Sequence, residues 1–404
     1  MAAERRDVVV VGGGVIGCGA ARWLAPDNDV LLLEGDQLAG DASGKASGMV
    51  TNGASFRAHP EFARAAANFF PEFDGTGSFS FTERESVGLV AEGDGDWARA
   101  EAERMRAADF DVEFVDAPTL EDRYPDAFDL DGYDGALVYH DTGWVDPYTY
   151  TVTLADAARD RGADVRTGDR VAELLVEDGA VVGVESSEGT VRADAVVVAA
   201  GWRSRELCLP HLELPVRPFR WQAATLDPER ELPDWYPMGW DPTIDRYWRP
   251  EHNGSIHVGG DEVVVRDPGS RRSTVSTDFK LRLATEMPDR LRHLEDATFV
   301  RGDTCTTGDA ATPDTYPIVD APDDGPDNLV VATGFQIGGV MSSPAVAEAV
   351  RSLVTRAEPD VSLDPFRLDR FDTRSADFPF VRHMAETEIT ESRIDARASR
   401  NEAD

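Results

Sequence analysis

The chain has 404 residues and a formal net charge of −36, because 76 acidic side chains outnumber 40 basic ones. This length is sufficient for a large buried core and is typical of two or three domains. The strong negative charge excludes a protein that binds nucleic acid by neutralising its phosphates, since the like charges repel one another.

The first element that the sequence predicts is a buried parallel strand at residues 7–11, which contain four consecutive valines. A glycine-rich turn follows directly, with Gly12, Gly14 and Gly17 in the spacing G-x-G-x-x-G. In this pattern the glycines permit a tight turn, let backbone N–H groups approach a pyrophosphate and let the next helix pack closely on the strand. The pattern therefore predicts a dinucleotide site.

A helix is predicted after the glycines, because Val15, Ile16 and later apolar residues recur at helical spacing. Its N-terminus would present free N–H groups to the pyrophosphate. A second strand at residues 30–34 ends with Glu34, whose carboxylate would accept hydrogen bonds from ribose hydroxyls and repel the 2′-phosphate of NADP. Together these elements predict a site for an ADP-containing cofactor; the alternative is a glycine turn that only packs a helix on a sheet.

Three later segments repeat the pattern of strand, glycine and helix. Residues 143–171 predict a turn, a helix and a strand, and residues 191–200 predict a valine-rich strand. A further strand at 328–333 precedes a predicted loop at 335–343, and Pro344 suits the first turn of the helix that follows. Since these segments are far apart, we expect a nucleotide-binding domain assembled from separate pieces.

The intervening segments, residues 57–142 and 206–302, have a different pattern. They contain short alternating runs, such as 219–225 and 255–259, which predict antiparallel strands. The expected fold class is α/β with an α+β insert: a Rossmann-like domain interrupted by an antiparallel-sheet domain. The residues after Phe371 are polar and charged, which predicts a solvated tail.

The composition also predicts the environment of the protein. Lys45 and Lys280 are the only lysines, so nearly all basic residues are arginines, and this bias together with the acidic excess indicates a salt-adapted protein. Cys18, Cys208 and Cys305 are odd in number and widely spaced, which predicts no disulfide framework and favours the cytoplasm. No apolar run is long enough to cross a membrane, and the histidines and cysteines lack metal-ligand spacing, so we expect neither a membrane span nor a metal.

The order of several motifs resembles the FAD-dependent D-amino-acid oxidase family, and more closely its sarcosine and glycine oxidase branch. The resemblance extends over about residues 7–370. Its markers after Glu34 are the segments 41–49, 143–147, 199–202, 312–318 and 332–335. Only the glycine motif is specific by itself, whereas the set in this order is a strong signature.

The resemblance implies a domain division and a cofactor. Residues 1–56, 143–205 and 303–371 would form the FAD-binding domain, 57–142 and 206–302 the substrate domain, and 372–404 a charged C-terminal tail. The expected FAD-binding residues are Gly12, Gly14, Val15, Ile16, Gly17, Glu34, Gly35, Ser43, Lys45, Ser47, Gly48, Val171, Ala200, Gly201, Gly338, Gly339, Val340 and Met341.

Within this set, the resemblance assigns different parts of FAD to different residues. Ser43, Lys45 and Ser47 would line the pyrophosphate and ribityl chain, and the backbone of Val171 would pair with adenine. The segment 338–341 would face the flavin, where its amides and the helix N-terminus stabilise the negative charge of the reduced ring. We expect the flavin to be non-covalent, because Thr307 occupies the position at which some relatives carry a flavin-linked cysteine. Covalent linkage to Cys305, which lies two residues earlier, is the alternative; the expected role of Cys305 is that of a small buried side chain.

The implied activity is oxidation of an amine, with a secondary, N-methyl or D-amino acid as substrate. Hydride would pass from the substrate to flavin N5, and the resulting imine would hydrolyse in water. Tyr247 fits a family tyrosine that lines the substrate pocket. The expected partner is therefore a small-molecule substrate, while the electron acceptor is unknown.

Three positions depart from the family pattern. Asp309 stands where relatives carry an arginine or tyrosine for the substrate carboxylate, and Asp261 stands where sarcosine oxidases place a histidine. Met341 stands where those oxidases carry an oxygen-activating lysine, which favours a dehydrogenase over an oxidase. Two alternatives remain: oxidation of a hydroxy acid or glycerol phosphate on the same fold, or an accessory flavin subunit of an electron-transfer complex.

Overall fold

The computed structural model describes residues 4–265, 273–305, 308–336 and 338–382. The strands of this part are β1 (Glu4–Val11), β2 (Val30–Glu34), β3 (Met49–Val50), β4 (Phe81–Glu83), β5 (Ser86–Ala91), β6 (Val112–Asp116), β7 (Tyr133–Tyr139), β8 (Gly143–Val145), β9 (Asp164–Thr167), β10 (Val171–Glu177), β11 (Ala180–Ser186), β12 (Gly189–Val198), β13 (Arg217–Asp227), β14 (Met238–Asp241), β15 (Arg246–Pro250), β16 (Ile256–Val264), β17 (Thr298–Thr304), β18 (Asp309–Ala311), β19 (Ile318–Asp320) and β20 (Leu329–Thr333).

The helices of the same part are α1 (Val15–Leu24), α2 (Asn52–Ser55), α3 (Pro60–Ala67), α4 (Phe69–Phe73), α5 (Gly95–Ala107), α6 (Ala117–Arg123), α7 (Pro147–Arg159), α8 (Arg203–Cys208), α9 (Thr277–Glu286) and α10 (Gly339–Thr355). Short 3-10 turns occupy Ser43–Lys45, Arg292–Leu294, Asp364–Phe366 and Leu368–Arg370. The mixed α/β fold class predicted from the sequence is confirmed, because the solved structures compared below share this fold.

The first sheet is built around β1. Its strand order is β10-β11-β12-β1-β2-β9, and β20 pairs with β12 and with β19. β1 lies parallel to both neighbours, so that Val10 pairs with Leu32 on one side and with Val197 on the other. Parallel strands buried on both faces are expected to be rich in valine and leucine, as these strands are.

Alternate residues of β1 reach two different cores, because successive side chains of a strand point to opposite faces. Val8 and Val10 belong to the core that contains the apolar faces of α1, α7 and α10. Val9 and Val11 belong to the core on the other face, which contains Trp202 and its apolar neighbours. The glycine turn after β1 is thus held rigidly between two packed layers.

The second sheet contains the strands of the intervening segments, in the order β17-β13-β16-β15-β14-β5-β7-β6, with β18 also paired to β13. Most of its pairs are antiparallel, but β14 and β5 are parallel. One face packs on its own apolar core, which contains Phe279 of α9 and the fully buried Trp248. The other face carries several residues of the cavity described below.

The helix α10 begins earlier than the sequence predicted. Residues 339–343 were expected in a loop, but they form the start of the helix, so Pro344 lies inside it. Proline cannot donate a backbone hydrogen bond to the carbonyl four residues before it, which here belongs to Val340. The hydroxyl of Ser343 donates to this oxygen instead, over 2.9 Å. The Val340 carbonyl therefore has a hydrogen-bond donor although the proline lies within the helix.

The last described residues pack on the second sheet. Arg217 donates to the carbonyl oxygen of Phe378 over 2.7 Å, and the rings of Phe219 and Phe380 lie 5.5 Å apart. Arg382 forms an ion pair with Asp245 at 2.7 Å. The rest of the predicted tail, residues 383–404, lies outside the described residues. Within the described ranges, no helix is both long and apolar enough to cross a membrane.

Candidate active site

A cavity of about 1090 Å³ lies between the two sheets. The first sheet contributes the turn after β1, the end of β2 and the start of β10. The second sheet contributes residues of β5, β7, β13, β15 and β18, and α5 closes one side. A single cavity therefore joins the predicted nucleotide site to a chamber walled by the second sheet.

The glycine turn has the geometry that its motif predicts. Gly12 has φ +113°, and a Cβ there would lie 2.5 Å from the carbonyl oxygen of Ala199. A Cβ on Gly17 would lie only 1.9 Å from the carbonyl oxygen of Gly12, so α1 could not pack this closely with a larger residue. Gly14 lines the cavity as the N-cap of α1, and it has no side chain to cap the helix. The N-terminus of α1 thus presents its positive dipole end to an anion in the cavity.

Glu34 and Ser43 tie the neighbouring loops to this turn. One Glu34 oxygen accepts a 2.7 Å hydrogen bond from the N–H of Gly13, and the other accepts from the N–H of Asp36 over 2.8 Å. The N–H of Val15 donates to the hydroxyl of Ser43 over 3.0 Å. Both side chains line the cavity, and a carboxylate retains further lone pairs for ribose hydroxyls.

Most of the FAD-binding residues expected from the sequence lie together on the cavity wall. The residues of that set that line it are Gly12, Gly14, Val15, Ile16, Glu34, Gly35, Ser43, Ser47, Val171, Ala200, Gly201, Gly339, Val340 and Met341. Gly17, Lys45, Gly48 and Gly338 are not part of the lining. Lys45 Nζ instead lies 3.7 Å from a carboxylate oxygen of Asp303, on the second sheet.

The N-terminus of α10 faces the cavity from the opposite end. Gly339, Val340 and Met341 line the wall, and the N-cap Gly338 makes no side-chain capping bond. The side-chain amide nitrogen of Asn52 donates to the carbonyl oxygen of Met341 over 2.8 Å, which fixes this turn to the start of α2. Two helix N-termini, those of α1 and α10, therefore direct positive dipole ends into one cavity.

Arg170 and Arg203 were missed by the sequence analysis and lie on the same wall as Val171. A Cβ on Gly35 would lie 3.0 Å from the guanidinium carbon of Arg170, so this side chain lies across the end of β2. Burial lowers the pKa of Arg203, whereas the nearby carboxylate of Asp41 raises it. Arg170 directly precedes Val171, and Arg203 follows Gly201 by two residues. This closeness to predicted FAD-binding residues could have identified both arginines from the sequence.

The chamber on the side of the second sheet has aromatic walls. Its lining includes Trp97, Tyr139, Trp221, Trp240 and Tyr247. Such faces provide apolar area and attract a cation through their negative π surfaces. Tyr247, which the resemblance assigned to the substrate pocket, comes from β15, whereas the other four were not predicted because they belong to separate elements.

Arg57 is a charged side chain of this chamber that the sequence analysis missed. Its guanidinium carbon lies 5.6 Å from the ring centre of Trp97, and its backbone carbonyl accepts a 3.0 Å hydrogen bond from Arg104. Arg104 in turn holds Glu101, another lining residue, through bonds of 2.6 and 2.9 Å. The chamber therefore combines aromatic faces with a guanidinium that lies beside Trp97.

The four residues expected near the substrate lie in different settings. Tyr247, Asp309 and Met341 line the cavity, and Asp309 accepts a 2.7 Å hydrogen bond from the N–H of Ala310. Asp261 does not line it; this buried carboxylate forms ion pairs with Arg246, at 3.2 Å, and with Arg282. Burial raises the pKa of Tyr247, so its phenol stays protonated at neutral pH.

Cys305 lies outside the cavity lining, in a small apolar cluster with Phe219 and Trp221. Its thiol is fully buried, and burial raises its pKa to about 12, which disfavours the reactive thiolate. Thr307 lies outside the described residues. Within those residues, no group of three or more His, Cys, Asp or Glu side chains is placed to hold a metal ion.

Comparison with known proteins identifies related sequences. The sequence model of the DAO family, described as FAD dependent oxidoreductase, matches residues 7–353. A 4-methylaminobutanoate oxidase (formaldehyde-forming) of Paenarthrobacter nicotinovorans is 33% identical over 208 residues, which are 49% of this chain and 25% of that protein. Human mitochondrial dimethylglycine dehydrogenase is 24% identical over 92% of this chain and 45% of that protein. The chain thus spans less than half the length of these two relatives.

Other relatives match this chain over nearly the whole length of both proteins. The glycine oxidase of Pseudomonas putida is 26% identical over 89% of this chain and 98% of that protein. The solved structure of a glycine oxidase from Geobacillus kaustophilus has a TM-score of 0.80, with 22% identity, and covers 92% of this chain and all of that one. An L-proline dehydrogenase from P. horikoshii has a TM-score of 0.82, with 20% identity, over 92% of this chain and 98% of that one. These structures share the fold.

Proposed function

The chain belongs to the DAO family of FAD-dependent oxidoreductases, and we propose that it oxidises an amine. The proposed substrate is a secondary or N-methyl amino acid or, as the second choice, a D-amino acid. The observation that carries this proposal is the single cavity, which joins two helix N-termini to an aromatic chamber containing Arg57. The names of the relatives support an amine substrate, since they include a methylaminobutanoate oxidase, a dimethylglycine dehydrogenase and a glycine oxidase.

The cavity fits FAD bound without a covalent link. We assign the pyrophosphate to the N-terminus of α1, where the absence of a side chain at Gly14 leaves room for the phosphates. Glu34 would hold the ribose, and Ser43 and Ser47 the ribityl side. The amides at the start of α10 would stabilise negative charge on the reduced ring. FAD, when bound, supplies the two-electron acceptor.

The side chains of the chamber would orient the substrate. Arg57 would bind its carboxylate, because a guanidinium forms bidentate hydrogen bonds with a carboxylate. The faces of Trp240 and Tyr247 would hold the methylated amine. The carboxylate of Asp309 would balance the positive charge of the protonated amine. The protonated phenol of Tyr247 would donate a hydrogen bond rather than serve as a base.

The family assignment does not fix the electron acceptor. We propose that an acceptor other than O₂ is preferred, because the apolar Met341 lines the cavity where a lysine would place a positive charge for oxygen reduction. We also propose that the protein works in a salt-rich, reducing cytoplasm. The net charge of −36 and the three free, buried cysteines support this environment.

The test is anaerobic reduction of the bound flavin by a panel of compounds, followed as loss of absorbance in 2 M KCl. The panel comprises dimethylglycine, 4-methylaminobutanoate, glycine, proline, D-alanine, lactate and glycerol phosphate. Bleaching by the methylated amino acids supports the proposal. Bleaching by lactate or glycerol phosphate alone indicates the hydroxy-acid alternative, and no bleaching by any member favours an accessory flavin subunit.

The role of Arg57 is tested with matched substrates. Arg57→Met should raise KM for a methylated amino acid by about tenfold or more, the loss expected for a charged hydrogen bond. It should change KM much less for the same amine without its carboxylate. Equal effects on both substrates would contradict carboxylate binding by Arg57.

A further inference from the structure

Arg249 is a buried arginine that the function above does not use. It lies on β15 two residues after Tyr247, and residues i and i+2 of a strand share one face. The side chain of Arg249 therefore projects from the same face of the sheet as that of Tyr247, which lines the cavity. Its side chain is only 6% exposed. A guanidinium buried this deeply needs partners that offset its lost hydration.

The contacts of Arg249 join the second sheet to a loop of the cavity wall. Its Nε donates a 2.5 Å hydrogen bond to the carbonyl oxygen of Ser47. Its guanidinium lies 4.2 Å from the ring centre of Trp144, which pairs with Met49 across β8 and β3. Ser47 and Met49 both line the cavity, so Arg249 holds this loop from behind.

The other side of the loop is held by the backbone. Gly48 has φ +70°, and its carbonyl accepts a 2.9 Å hydrogen bond from the N–H of Val145. A Cβ on Gly48 would lie 2.0 Å from the carbonyl oxygen of Val145, so the loop lies directly against β8. Residues 47–49 are thus fixed between β8 and the guanidinium of Arg249.

Arg249 also places a buried positive charge in this region. Glu251 pairs with both of its terminal nitrogens at 3.2 Å, and the carboxylate of Asp146 also acts on it, but the Glu251 side chain is 22% exposed and therefore partly hydrated. His257 pairs with Arg249 across β15 and β16. Burial, followed by the charges of Arg249 and Arg301, lowers the pKa of His257 to about 3, so this imidazole is neutral. An arginine stays protonated even when burial lowers its pKa.

We propose that Arg249 is a positioning residue for FAD: it fixes residues 47–49 of the cavity wall and places a buried positive charge behind them. Loss of this side chain would release the Ser47 carbonyl and loosen the loop. Loss of its charge would remove favourable electrostatic interaction with the anionic reduced flavin. This inference rests on FAD as the cofactor and is independent of the substrate.

The test measures cofactor binding and reduction potential in the flavin-depleted and reconstituted protein, without substrate. Arg249→Met should weaken FAD binding by about tenfold or more, as expected for a lost charged hydrogen bond, and should lower the two-electron potential. Arg249→Lys retains the charge but not the planar fork, so it should weaken binding while keeping the potential closer to that of the wild type.

Arg6→Met is the matched control, because Arg6 is 17% exposed, pairs with Glu4, Asp29 and Asp164, and lies outside the cavity lining. It should lower the unfolding midpoint but leave FAD affinity and potential unchanged. If Arg249→Met retains wild-type affinity and potential, the proposal is wrong. If Arg249→Met does not fold, wild-type FAD affinity in Arg249→Lys overturns the positioning role by itself.

Discussion

The phenol of Tyr247 lies directly over Gly259, its partner across β15 and β16: a Cβ at position 259 would be 2.1 Å from the phenol oxygen. The same arrangement occurs at Gly88, where a Cβ would lie 2.3 Å from the ring of Trp240. These glycines are not required for a turn. They leave room for two aromatic rings to lie against the strands that wall the chamber.

We expect Gly259→Ala to displace Tyr247 and to raise KM for the preferred substrate. The added methyl group cannot be accommodated without moving the ring, at a cost of about 1–3 kcal/mol, as is typical of overpacking. Steady-state kinetics and the unfolding midpoint measure the two effects. Gly325→Ala is the control, because its Cβ would make only ordinary contacts of 3.4 Å and longer. Unchanged kinetics in Gly259→Ala would refute a positioned Tyr247.

Replacement of Gly14 by leucine should abolish flavin retention. The side chain would project from the N-terminus of α1 into the space that we assign to the pyrophosphate, and its Cβ would already lie 3.0 Å from the hydroxyl of Ser43. The absorbance of the purified variant near the flavin maxima is the measurement. A fully yellow Gly14→Leu protein, or wild-type protein that retains NAD instead, contradicts this assignment.

Acid precipitation should leave the flavin in the supernatant. The buried thiol of Cys305, with its pKa raised to about 12, does not line the cavity and is unsuited to form a thioether. Cys305→Ala should therefore keep the same free flavin. Flavin that stays in the wild-type pellet but not in the Cys305→Ala pellet would show covalent attachment.

The unfolding midpoint should rise with salt concentration. Repulsion among 76 acidic side chains destabilises the compact state at low ionic strength, and molar salt shortens the Debye length to about 3 Å. Thermal unfolding in 0.1 M and 2 M KCl tests this expectation. Equal midpoints under the two conditions would contradict salt adaptation.

Reduced flavin should be reoxidised faster by an artificial dye than by air. Met341 supplies no positive charge to stabilise developing superoxide. Met341→Lys should then increase the rate of reaction with oxygen. The experiment is anaerobic reduction by substrate followed by mixing with dye or air-saturated buffer. Equal rates with dye and air would refute the preference, and an unreactive Met341→Lys variant would refute the role of this position.

The residues predicted for the nucleotide half of the site lie together on the cavity wall, and the sequence could group them because its signals are local. Gly12, Gly14 and Glu34 belong to one continuous strand–turn–helix–strand unit, whose spacing fixes which backbone atoms face the cofactor. Position 344 shows the limit of such rules: proline indicated a helix start, but the hydroxyl of Ser343 replaced the missing donor. A side-chain bond of this kind cannot be read from propensity.

The chamber could not be predicted in the same way, because its residues meet only after folding. Arg57 precedes α3, whereas Trp97 lies on α5, and no periodicity relates the two. Asp261 illustrates the converse problem. The resemblance assigned it to the substrate pocket, but the fold pairs it with Arg246 and Arg282, which lie at distant or unrelated positions in the sequence.

The pairing of β12 has a consequence for the order in which the chain folds. Glu4 pairs with Val191, and Val198 pairs in turn with Val331, so the central sheet joins the beginning, middle and end of the chain. During synthesis, one edge of β1 must remain exposed until β12 leaves the ribosome, and β20 closes the sheet later still. Closure of such long loops slows folding, and an exposed apolar edge promotes aggregation. The hairpin of β10 and β11 requires no such closure, because its strands are adjacent in the chain and β12, the next strand, pairs with β11.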